Sequence, residues 1–227
     1  MGWRSLTQRA DLQGLWTERN SWQAQFRDDL GRILRAIAGE VVEWYITPPD
    51  QECGGPDIEV GTETTRGAVR LRDIGEGRIG PGIAIDYHRD VSVRAWLSSG
   101  VPTEVNRLSL GAVSAIIDPD RLQRRERIIG RTWQSYPTEE DSGVPTFYIY
   151  AWARKPPRVE SWLAYRIGTA VNSGLYANRD VILNKDGKTA FIAVPTTELV
   201  DAGAVFACGH IPWLGAAIEP RGGIVVP

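Results

Sequence analysis

Residues 144–175 read VPTFYIYAWARKPPRVESWLAYRIGTAVNSGL, and the fold is decided there. Phe147, Ile149, Ala151 and Ala153 alternate with Tyr148, Tyr150 and Trp152, and all seven are apolar or aromatic. A strand apolar on both faces belongs in the middle of a sheet, covered on each side. Pro156-Pro157 breaks it. Beyond the break, Val159, Leu163, Ile167, Ala170 and Val171 recur at helical steps. The spacing predicts a helix over 158–173, packed across the strand, with Gly174 at its C′ position.

Outward from this unit, the flanking segments alternate strand and turn signals. RDVIL-NKDG-KTAFIAV reads as a hairpin with a four-residue loop containing Asp186-Gly187. A last strand follows over Ala204 to Cys208, then a Pro/Gly-rich tail. Upstream, residues 67–117 are β-rich. A short strand at Ile58–Val60 and strands over 68–74, 82–89 and 91–97 follow from period-two alternation, and 107–117 is read as strand. Asp118-Pro119-Asp120 is a helix start, opening the segment RLQRRERIIGRTW. At the N-terminus, Trp22, Phe26, Leu30, Ile33, Leu34, Ile37, Val41 and Trp44 form one apolar stripe, predicting a long amphipathic helix over 6–46 that faces the core. The expected fold is α+β: a single domain over 1–227 with a mixed or antiparallel sheet, packed helices and that N-terminal helical arm.

The chain has 227 residues, with 42% hydrophobic and 24% charged. That is enough to build a core without metals or disulfides. The net charge is −2, so any nucleic-acid contact would come from a local patch. No apolar run approaches the ~18 residues a membrane span needs, and MGWRSLTQRADLQ has no secretory apolar core. A soluble protein made in the cytoplasm is expected, with no membrane partner. Cys53 and Cys208 lie far apart, outside any zinc-ligand spacing, and read as free thiols. Lysine occurs only at 155, 185 and 188, leaving 23 of 26 basic residues as arginine. With nine tryptophans, this composition suits an assembling protein, since both residue types are enriched at interface hot spots.

Gly75 to Gly80 matches GxGxxG, but Pro81-Gly82 and an alternating strand follow where a helix would have to start, so it reads as a glycine-rich turn. On a strand, Asp86, His88 and Asp90 would share one face at acid/base or metal spacing. A polar hairpin end is the preferred reading. Pro56-Asp57 with Glu59 lacks the acid-x-Lys partner of a nuclease site. Cys208-Gly209-His210 places thiol and imidazole where they rarely form a dyad, and Ser114 lacks the flanking glycine of a nucleophile elbow. Arg121, Arg124, Arg125, Arg127 and Arg131 form a basic run interrupted by Glu126. It reads as a solvated or interface face ahead of a phosphate-binding one. No catalytic residue, cofactor or metal site is expected.

Tyr150-Ala151-Trp152-Ala153-Arg154, followed by the run from Trp162 to Leu175, resembles the middle of small phage proteins of the tail-terminator and head–tail-joining class. The resemblance implies a helix packed on a sheet. It also implies ring-forming protomers that dock to tail tube, sheath or connector proteins, in a virion assembled in the host cytoplasm. Trp152, Arg154, Trp162 and Arg166 within it, with Arg121, Arg124 and Arg125, are the interface candidates. The expectation is thus a structural virion protein acting by self-assembly. The alternatives are a metal-dependent nucleic-acid-processing enzyme using Asp86, His88 and Asp90, or an arginine-rich nucleic-acid-binding module.

Overall fold

The computed structural model describes residues 23–38, 41–46, 58–62, 66–73, 90–97, 119–124, 126, 128–130, 146–153, 155–184, 187–209 and 224–225. Within them lie eleven strands and four helices. The strands are β1 (Val41–Ile46), β2 (Ile58–Thr62), β3 (Arg66–Asp73), β4 (Asp90–Leu97), β5 (Ile128–Gly130), β6 (Phe147–Ala153), β7 (Ser161–Arg166), β8 (Arg179–Leu183), β9 (Thr189–Pro195), β10 (Val205–Cys208) and β11 (Ile224–Val225). The helices are α1 (Arg27–Ala38), α2 (Pro119–Gln123), α3 (Ile167–Asn172) and α4 (Thr196–Asp201). The class is α+β, as expected.

A seven-stranded sheet runs β1-β2-β3-β6-β7-β10-β11, and a four-stranded sheet runs β4-β9-β8-β5. The larger sheet is mixed, because β3 pairs with β6, and β10 with β11, in parallel. The smaller is antiparallel throughout. β6 takes the middle of the larger sheet, and all seven of its residues are buried.

Period-two alternation then sorts β6 into two cores. Tyr148, Tyr150 and Trp152 face the four-stranded sheet, with Leu163 and Tyr165 of β7 and Val91, Val93, Ile192 and Val194 from across the gap. Phe147, Ile149, Ala151 and Ala153 face α1, with Trp162 and Ala164 beside them. Phe26, just before α1, and Leu30, Ile33 and Leu34 within it meet this face, while Asp28, Arg32 and Arg35 are exposed. The order of layers is helix, large sheet, small sheet. Asp29 ties the first two together, its carboxylate accepting the Val159 N–H at 2.8 Å.

Three sequence expectations are corrected. The helix expected over 158–173 is strand β7 followed by the short α3. Trp162, Leu163, Ala164 and Tyr165 are apolar on both sides of a period-two ladder, and β7 pairs with β6 on one edge and β10 on the other. That pairing satisfies its backbone and outweighs the helical stripe. The cis Pro156-Pro157 turn therefore joins two antiparallel strands, with the Glu160 N–H donating to the Trp152 carbonyl at 2.9 Å. Second, the N-terminal helix stops at Ala38. VVEWYI over 41–46, rich in β-branched and aromatic residues, is the edge strand β1. Third, the helix opened by Pro119 ends at Gln123, and Ile128–Gly130 pairs with β8. Helix α4 and strand β11 were not expected. Residues 6–22 of the expected arm and the strands read over 82–89 and 107–117 lie outside the described residues.

Other readings hold. Gly174 has φ +77° at the C′ position of α3. Its N–H donates to Val171, and that of Leu175 to Ala170, closing a Schellman motif. The 179–195 hairpin forms, with Leu183 opposite Ala190 and Gly187 taking φ +65° in its loop.

Candidate interaction surface

Two places among the described residues bring exposed interface candidates together with the groups they pair with. The first is α2 and the segment that follows it. Arg121 Nε donates to Glu126 Oε2 and Arg124 Nε to Oε1, each at 2.8 Å, so one carboxylate is held between two guanidiniums. These hydrogen bonds, that of Arg124 foremost, hold the Glu126 carboxyl below the usual carboxylate range. All three side chains are exposed. Gln123 anchors the group, its Nε2 donating to the Gly187 carbonyl at 2.6 Å. The α2 segment is thereby seated against the β8–β9 turn, more than sixty residues away in sequence.

The second place is one end of the large sheet. Arg166, the last residue of β7, is exposed, and its guanidinium carbon lies 5.1 Å from the centroid of the Phe206 ring. Phe206 meets Phe147 edge-on at 6.2 Å, and Phe147 is the register partner of Arg166. The chain thus presents a cation stacked on an aromatic pair. Sequence reading singled out Arg166 but not the phenylalanines. Phe206 sits at a register shift in β10, where simple alternation fails to report which face a residue takes.

Trp152 and Trp162 are core residues. Trp152 is fully buried between the sheets, and Trp162 is buried on the α1 side. Neither indole reaches the surface of the chain. Of the described candidates, Arg121, Arg124 and Arg166 are exposed. Arg154 and Arg125 lie outside the described residues.

Of the acid/base candidates, Asp86 and His88 lie outside the described residues. Asp90 opens β4, opposite Pro195 of β9. Asp57 also lies outside, and Glu59 is described only as backbone in β2. The described residues hold no cluster of three His, Cys, Asp or Glu that could bind a metal. Cys208 is a free, buried thiol, pushed up in pKa by desolvation, which disfavours the thiolate a nucleophile requires. Cys53, His210, Ser114 and the glycine run 75–80 lie outside.

Between the sheets, sequence reading missed a polar group. Arg70 of β3 is buried at 4% exposure beside Tyr150, its register partner in β6, and the Tyr150 hydroxyl hydrogen-bonds Ser92 of β4 at 3.1 Å. The alternation that buries Ala68 on this face also carries Arg70 inward. That was the available signal, masked by the expectation that charge lies outside. No family model, curated protein or solved structure matches the chain.

Proposed function

We propose that this chain is a non-catalytic assembly protein, a component of a phage neck or tail of the tail-terminator kind. It would form a ring-like homo-oligomer and dock to tube, sheath or connector proteins. One observation carries the assembly part of this reading. Among the described residues, both sheets end in open edges: β1 and β11 border the larger sheet, β4 and β5 the smaller. An open edge offers a row of backbone donors and acceptors to another chain, and adding a strand to it is a recurring mode of association.

A further feature supports the reading. The cationic side chains are almost all arginine, which suits planar, bidentate pairing across interfaces. The assignment to a phage neck or tail rests on the resemblance over 144–175 alone.

Size-exclusion chromatography with light scattering tests the assembly reading directly. A discrete oligomer, seen as rings in electron micrographs, is the expected outcome. A strict monomer at the highest attainable concentration, with no ring, sinks self-assembly. Purification of assembled particles and detection of the chain in them tests the virion part separately.

A further inference from the structure

We propose that the exposed side chains of Arg121, on α2, and Arg124, just after it, form a phosphate-binding site for nucleic acid, and that Glu126 occupies it as a built-in competitor. The proposal is independent of the assembly reading. Its core is the geometry of one carboxylate between two guanidiniums, with Arg121 and Arg124 each giving one Nε–H, at 2.8 Å, to a different oxygen of Glu126. A phosphodiester presents the same pair of charged oxygens, and the rigid donor fork of arginine suits both groups. The site is already assembled around an oxyanion, and that oxyanion belongs to the chain.

The carboxylate can be exchanged at little cost. The side chains of Arg121, Arg124 and Glu126 are 49%, 60% and 42% exposed. Displacing Glu126 leaves no buried charge behind, and exposed ion pairs of this kind contribute little to stability. The arginines themselves are held in place by another residue, because Gln123 fixes α2 to the Gly187 carbonyl at 2.6 Å.

The sequence favours a nucleic-acid backbone over an acidic protein. From 119, where α2 begins, to 137, five arginines stand against two acids, Asp120 and Glu126, in a chain whose net charge is −2. A spread of like charges matches a repeating polyanion, whose every unit offers another phosphate. A folded acidic partner would need carboxylates at matching irregular positions.

The test is fluorescence anisotropy of the full chain with a labelled random-sequence DNA duplex, titrated at several salt concentrations. Glu126→Gln is expected to tighten binding about threefold to tenfold at low salt, because it removes the competitor and adds to the positive field. Arg121→Gln and Arg124→Gln are expected to weaken it, each flattening the dependence of log K on log salt by about one. In the Glu126→Gln/Arg124→Gln double variant the gain is lost. A purely structural role for Glu126 predicts a lower melting temperature and no tightening, so thermal melts accompany each titration. The proposal is overturned if Glu126→Gln binds no tighter, or if both arginine variants keep the parent salt slope. It is also overturned if poly-glutamate displaces the duplex as well as unlabelled DNA of equal charge does, which would make the face a reader of protein carboxylates.

Discussion

At Gly67 and Gly209 an aromatic ring lies where a side chain would begin. The ring of Phe147 covers Gly67 and the indole of Trp162 covers Gly209, so a Cβ at either position would fall inside the neighbouring ring's envelope. The ring shields a weak spot in the ladder, and the glycine lets the ring lie flat. Gly67→Ala must displace Phe147, and overpacking of this kind costs about 1–3 kcal/mol. Phe147→Ala leaves a cavity and costs about 3–5 kcal/mol. The Gly67→Ala/Phe147→Ala double variant is expected to lose less than the sum, since the clash is gone, and urea midpoints measure all three. Cys208 makes a second residue-scale prediction. Burial raises its pKa, so the folded chain holds the thiol proton more tightly than the unfolded chain does. The resulting stabilisation is present below the ordinary thiol range and is lost as pH rises through the folded value. In a Cys53→Ser background a disulfide reagent should label Cys208 slowly when folded and rapidly in denaturant. Fast labelling of the folded chain would contradict its burial.

Among the elements, β7 separates the two readings of 158–173 most sharply. A helix with its stripe at Val159, Leu163, Ile167, Ala170 and Val171 would carry Tyr165 on the outer side. The strand instead buries Tyr165 between the sheets at 1% exposure. Tyr165→Asp therefore places an unpaired carboxylate in the core. It should abolish folding or cost several kcal/mol, by the penalty for burying an uncompensated charge. Tolerance of Tyr165→Asp in a thermal melt would restore the helix. The Ser92–Tyr150 hydrogen bond belongs to the same scale, linking β4 to β6 across the two sheets. Tyr150→Phe should cost about 1–3 kcal/mol by leaving the buried Ser92 hydroxyl without this partner. In the Ser92→Ala background the same change should cost less, and a double-mutant cycle in urea reads the difference.

For the molecule as a whole, one strand serves both cores. β6 sends Tyr148, Tyr150 and Trp152 to one side and Phe147, Ile149 and Ala151 to the other, so neither core can be lost without disturbing the other. The tyrosines extend this coupling: Tyr148 stacks on Tyr165 at 5.9 Å, and Tyr176 reaches the Tyr165 hydroxyl. Unfolding should be cooperative, with near-UV and far-UV circular dichroism giving the same midpoint. Separate midpoints would show that the small sheet melts apart from the large one. At this scale arginine also takes two roles. Arg70 lies between the sheets, while Arg121, Arg124 and Arg166 are exposed at the surface.

The sequence by itself determined the α+β class, the central place of Phe147–Ala153, the core-facing stripe of Phe26 to Leu34, the 179–195 hairpin and the glycine that ends α3. Each rests on local information: a period of two or of 3.6, a turn pair, or a residue that tolerates positive φ. Only the tertiary structure decided that Trp162–Tyr165 is strand, because both its edges find partners 11 to 45 residues away. In the same way it took Val41–Ile46 out of the helix and into a sheet edge. It also decided which tryptophans are lost to the core, and it set Glu126 between two arginines beside a distant turn. Those outcomes depend on contacts between segments far apart in the chain, where a helical stripe and a doubly apolar strand can be written with the same residues.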